Sequence, residues 1–122
     1  MTVEEYRKMN KPSREKDHIE SVFKKLGLKV IPEYAFVPGR RFKSDWFIPS
    51  KNILIEYEGL IFANNKKGSS GISRHTSIRG FSRDMEKYNF CTKLGYRLLR
   101  YSAINYKNIE QDLKELICIL QR

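Results

Sequence analysis

The chain has 122 residues and a formal charge of +10 at pH 7, with 24 Lys and Arg against 14 Asp and Glu. That length holds one domain with a core of its own, and the charged and apolar fractions exclude wholesale disorder. A net charge of that size points to a polyanionic partner, nucleic acid before an anionic membrane, with lysine serving solubility alone as the plain alternative.

Residues 1–12 read as a basic arm or frayed helical turn closed by Pro12, and residues 13–122 as the domain. Ser13 is a candidate N-cap, with Glu15 and Asp17 in a first turn where the helix dipole favours negative charge. Ile19, Val22, Phe23 and Leu26 recur at helical spacing, and Gly27 ends the helix. Glu20 borders that apolar stripe. Residues 28–36 read as a strand, with Pro32 marking an edge or a bulge.

After the Pro38-Gly39 turn come two further strands within residues 41–59, joined at Pro49-Ser50-Lys51-Asn52. Alternation places Leu54, Glu56 and Glu58 on one face and Ile53, Ile55 and Tyr57 on the other. Paired strands lie about 4.8 Å apart, so Asp45 on the first strand can approach that acidic face. Carboxylates that converge repel unless a proton or cation joins them, and hard oxygen ligands suit Mg²⁺ or Mn²⁺.

Residues 59–80 have little periodicity and carry Lys66, Lys67, Arg74 and Arg79 among glycines and serines, as a phosphate-contacting loop would. Ser82 is a candidate cap for a second helix ending before Gly95, with Phe81, Met85, Tyr88, Cys91 and Leu94 on its inner side. A strand from Tyr96 to Ser102 follows, Leu98 and Leu99 marking burial on both faces. Asn105 or Asn108 then caps a last amphipathic helix with Ile109, Leu113, Leu116, Ile117 and Leu120 on one stripe. That stripe closes the core or forms a dimer contact. Cys91 and Cys118 read as reduced, buried packing residues, and no spanning or secretory segment is evident, so the expectation is a soluble cytoplasmic protein. The order is helix, three strands, loop, helix, strand, helix: an α/β fold with a small mixed sheet flanked by helices.

Glu20 on the first helix, Asp45 on the second strand and Glu56-Tyr57-Glu58 on the third together resemble the PD-(D/E)xK nuclease superfamily. Gly59, Arg74-His75, Gly80-Phe81, Asp84, Glu86-Lys87-Tyr88-Asn89, Gly95-Tyr96-Arg97 and Leu99-Arg100 are similar to its very-short-patch-repair-like phage and bacterial branch. The resemblance spans residues 13–102 and implies a restriction-endonuclease-like α-β-β-β-α-β core. It implies Asp45 and Glu56 as metal ligands. Glu58 stands where the superfamily usually has lysine, and could complete the metal shell, act as a base or be an ordinary strand residue. Glu20 could reach the metal through a water, as in junction resolvases of this superfamily. Lys87 or His75 would supply the missing cation, and Arg40, Arg41, Lys43, Lys66, Lys67, Arg74 and Arg79 the phosphate contacts. The implied activity is Mg²⁺-dependent cleavage of DNA by a homodimer, selective for Holliday junctions or other branched DNA. The alternatives are a mismatch- or sequence-specific nicking enzyme and a catalytically degenerate DNA-binding module.

Overall fold

The computed structural model describes residues 13–59 and 78–121, the side chains of Ile78, Arg79 and Phe81 excepted. In chain order these residues form helix α1 (Arg14–Lys25), strands β1 (Ile31–Ala35), β2 (Lys43–Ile48) and β3 (Ile53–Tyr57), helix α2 (Ile78–Lys93), strand β4 (Arg97–Tyr101), a 3-10 turn (Tyr106–Asn108) and helix α3 (Ile109–Leu120). The four strands make one sheet in the order β1-β2-β3-β4. Its first two pairings are antiparallel, and β4 returns parallel to β3. This is an α/β architecture with a small mixed sheet. The basic arm expected at residues 1–12 lies outside the described residues.

Helix α1 begins where Ser13 Oγ accepts the Lys16 N–H at 3.0 Å. It ends in a Schellman turn: Gly27 takes φ +67°, Gly27 N donates to Lys24 O and Leu28 N to Phe23 O. Those bonds hold Leu28 and Val30 against the core, so β1 starts at Ile31, three residues later than apolar content alone suggests.

Strand β1 is an edge, as Pro32 indicates. Glu33 has φ +51°, a left-handed backbone inside a strand. Regular alternation would put Ile31 and Tyr34 on opposite faces. Glu33 resets that parity, and Tyr34 stacks on Phe47 with ring centroids 4.2 Å apart.

The β2–β3 hairpin turns through residues 49–52, with Lys51 N donating to Ile48 O and Asn52 at φ +57°. Asn52 Nδ2 then donates to Gly95 O at 2.8 Å, and Arg97 N to Asn52 O at 3.1 Å. The start of the parallel β3–β4 pair is thereby tied to the turn that leaves α2.

Alternation along the strands splits the core in two. Trp46, Ile48, Ile53 and Ile55 join Ile19, Val22 and Phe23 of α1 and Ile109 and Leu113 of α3 on one face. On the other, Phe47 and Leu54 meet Phe36, Val37, Phe42 and Cys91 of α2. Leu99 and Leu98 divide the same way, as the burial expected on both faces of β4 requires.

Several expectations need correction. Helix α2 starts at Ile78, so Ser82 lies inside it and caps nothing; Gly80 is a tolerated helix glycine, at a cost of about 1 kcal/mol against alanine. Met85 and Leu94 are exposed, Met85 because it sits well round the helix from the line through Lys87 and Cys91. Cys118 is also exposed, turned away from the Ile109–Leu113 stripe, while Cys91 is buried; both are free thiols. Neither Asn105 nor Asn108 caps α3 by its side chain. Asn105 Oδ1 instead accepts from the Ser102 N–H and hydroxyl, closing the turn after β4.

Candidate functional site

The antiparallel ladder between β2 and β3 runs from Ile48↔Ile53 to Trp46↔Ile55 and there stops. Beyond it, side chains take over the bonding. Ser44, buried, has its hydroxyl 2.9 Å from both Ile55 O and Trp46 O, and its proton serves one or the other. Asp45 Oδ2 accepts the Tyr57 N–H at 2.8 Å. The strands part at this point, and a carboxylate fills the place of a ladder carbonyl.

Continuing the register sets Asp45 opposite Glu56, and parity puts both on the face that carries Phe47 and Leu54. On the far side of β3, Glu56 is in parallel register with Arg100. A row therefore crosses three strands: Asp45, Glu56, Arg100. It lies at the carboxyl ends of the β3–β4 pair, where ligand sites in open α/β sheets gather.

Helix α2 roofs this row. Lys87 reaches down from it, and its Nζ pairs with Glu56 Oε1. Both are withdrawn from water, the Glu56 side chain 7% exposed and that of Lys87 19%. Burial pushes the Glu56 carboxyl above its ordinary range; Lys87 opposes the shift, while the charges of Asp45 and Glu58 reinforce it.

One step along β3, Glu58 is held from two sides. Arg100 donates from Nε to Oε2 at 2.7 Å and from Nη2 to Oε1 at 2.8 Å, and the Tyr88 hydroxyl donates to Oε1 at 3.1 Å. Burial alone would raise this carboxyl, but the Arg100 bonds and charge, with Tyr88 and Lys87, hold it below its usual range. Tyr88 is pushed far upward by burial and by the Glu56 and Glu58 charges, so it stays a hydroxyl donor. The Cys91 thiol, raised by burial and by Glu56, stays protonated.

The other expected residues separate into groups. Glu20 is on α1, over the opposite face, and its Oε2 accepts the Trp46 indole N–H at 3.3 Å. Arg40 pairs with Glu86 of α2 and covers the Phe42 ring at 4.7 Å, so part of its role is to pin the α2 roof. Arg41 and Lys43 are exposed at the start of β2. Lys66, Lys67, Arg74, His75 and the Arg79 side chain lie outside the described residues.

Reading the sequence alone missed Arg100 and Tyr88 as members of the site. Arg100 stood in the Leu99-Arg100 motif of the resemblance without a role assigned to it. Tyr88 at helical spacing looked like core.

Among the described residues, no group of three or more His, Cys, Asp and Glu side chains converges as a metal cage. Mg²⁺ does not require one: it keeps several waters and commonly takes one or two carboxylates. Asp45 and Glu56 are such a pair, of the right hardness, and the Asp45 charge adds to the burial that raises the Glu56 carboxyl. Three carboxylates against Lys87 and Arg100 leave one negative charge in excess. The chemistry of the donor set suits a divalent ion, which would compete with Lys87 for Glu56.

No family model, curated protein or solved structure gives a significant match to this chain.

Proposed function

We infer that this chain is a divalent-metal-dependent DNA endonuclease of the PD-(D/E)xK type, with a restriction-endonuclease-like core and a homodimeric state. The observation that carries the reading is the fork between β2 and β3. There Asp45 and Glu56 share a face, and α2 delivers Lys87 to the same carboxylate. A lysine from the roofing helix stands in for the strand lysine that Glu58 replaces.

Asp45 and Glu56 would hold Mg²⁺ or Mn²⁺, which when bound supplies Lewis acidity toward the scissile phosphate. Asp45 is oriented for this by the Tyr57 N–H, a backbone donor that leaves its second oxygen to a ligand. Lys87 is a half-buried ammonium that would be able to neutralise charge developing on the phosphate. The chain's +10 charge supports a polyanionic substrate, and Arg41 and Lys43 supply exposed cations near the fork. Branched DNA is the substrate we favour, because two copies related by a two-fold would meet the two-fold of a four-way junction.

Labelled four-way junction, flap and duplex DNA, incubated with Mg²⁺, Mn²⁺ or EDTA, test the reading. Cleavage that needs the metal and disappears in Asp45→Asn supports it. An intact phosphodiester backbone on every substrate with every metal removes it. A second reading, a DNA-binding module without catalysis, draws on the fact that all three carboxylates already have protein partners. It expects salt-sensitive binding that Asp45→Ala and Glu56→Ala leave unaltered.

A further inference from the structure

The geometry points to Arg100 as a phosphate-clamping residue of this site, with Glu58 as the group that positions it and not a metal ligand; the inference rests on the nuclease reading above. Its first support is place. Parallel register sets Arg100 beside Glu56 on the same face, one strand spacing from the carboxylate that would hold the ion.

The second support is how the guanidinium is held. Glu58 engages it side-on through Nε and Nη2, and its central carbon lies 4.1 Å from the Tyr88 ring centroid. Those bonds use two of the five N–H donors; of the other three, one on each terminal nitrogen points along the Nη1–Nη2 edge, a fork that matches two phosphate oxygens. An arginine stacked and tethered in this way has its direction set before a ligand arrives, so binding costs less side-chain freedom.

Exposure separates the two cations of the site. The Arg100 side chain is 47% exposed, that of Lys87 19%. A phosphodiester approaching from solvent meets Arg100 first.

Glu58, by contrast, has both oxygens engaged, accepting from Nε, Nη2 and the Tyr88 hydroxyl. A metal on Oε1 would displace the Nη2 or the Tyr88 bond, and one on Oε2 would compete with Nε for that oxygen. Glu56, with one oxygen on a displaceable ammonium, is under no such constraint. Charge balance agrees. With a divalent ion on Asp45 and Glu56, the single excess negative charge becomes one positive charge, which a phosphodiester neutralises.

Two binding measurements test this without turnover. Anisotropy of labelled duplex DNA in Ca²⁺ across a KCl series gives the salt slope for wild type, Arg100→Ala, Arg100→Lys and Glu58→Gln. One lost phosphate contact lowers the slope by about 0.9, the result expected for Arg100→Ala. Arg100→Lys keeps the charge and the slope but binds more weakly, and that extra loss vanishes in the Glu58→Gln background, where the arginine is no longer aimed. Calorimetry with Mn²⁺ on the free protein should find Glu58→Gln unchanged and Asp45→Asn weakened about tenfold or more.

An unaltered slope in Arg100→Ala, or Mn²⁺ affinity lost in Glu58→Gln, overturns the inference while leaving the nuclease reading in place. Wild-type protein that binds neither Mn²⁺ nor DNA removes both. Should Arg100→Ala fail to fold, the Arg100→Lys and Glu58→Gln comparison decides alone.

Discussion

The two faces of the sheet are built from the same strands, yet they end differently. Under α1 and α3, Trp46, Ile48, Ile53 and Ile55 continue into Tyr101, Ile109 and Leu113, and among the described residues no buried charged side chain joins them. Under α2 the face begins in the same manner, with Phe47, Leu54 and Cys91, and then changes to Glu56, Lys87, Glu58 and Arg100. The change falls where the β2–β3 ladder opens. Strands that no longer satisfy their backbone by pairing do so through the Ser44 and Asp45 side chains, and on the Asp45 side polar side chains follow. One face therefore continues as core, and the other gives way to the charged row of the candidate site.

The largest effect should come from the apolar face. Ile55→Ala empties a fully buried site and should cost about 4 kcal/mol in urea unfolding, with the Mn²⁺ affinity of the folded protein unchanged. A shift in that affinity would mean the two faces are mechanically coupled.

Next comes Lys87→Met, expected to cost about 3 kcal/mol at neutral pH because it strands the Glu56 carboxylate under the helix. The sign of its pH dependence is fixed. With the folded Glu56 value raised above 4.5, the protonated form favours the fold, so stability is greatest below that pH and declines as pH rises through the raised value. The variant should show this decline more steeply than wild type, and adding Glu56→Gln should flatten it. A Lys87→Met protein equally stable at pH 5 and pH 8 would break the buried-pair account.

Ser44→Ala tests the fork itself. Removing the hydroxyl takes away the one proton that the buried Ile55 and Trp46 carbonyls share and should cost about 2 kcal/mol. If unfolding is unaltered, water replaces the hydroxyl and the fork is looser than described.

The smallest effect separates two glutamates two residues apart. Glu58, held below its usual value of 4.5, adds stability that is present above that pH and lost as pH falls through its lowered value, opposite in sense to Glu56. Glu58→Gln should flatten the acid limb of a urea-midpoint profile; an unchanged limb would mean that Arg100 holds it only loosely.

Much of this architecture was legible in the residues. Helical spacing marked Ile19, Val22 and Phe23, Gly27 gave the stop, and the turn chemistry at residues 49–52 with flanking alternation gave the hairpin and the face shared by Leu54, Glu56 and Glu58. Local periodicity carries such information because each element needs only its own pattern to know which side is dry. Less legible was whatever depended on two elements meeting. Lys87 was expected, with His75 as the other candidate, to supply the missing cation; that it lands on Glu56 depends on how α2 crosses the sheet.

By itself, then, the sequence determined the order of the elements, the apolar faces and the acidic character of β3. Tertiary structure decided which cation answers which carboxylate: Lys87 for Glu56, Arg100 and Tyr88 for Glu58, a backbone N–H for Asp45. Electrostatic pairing acts across a few ångströms of space, and residues 31 or 42 positions apart come within that range only after the sheet has formed and the helix has closed over it.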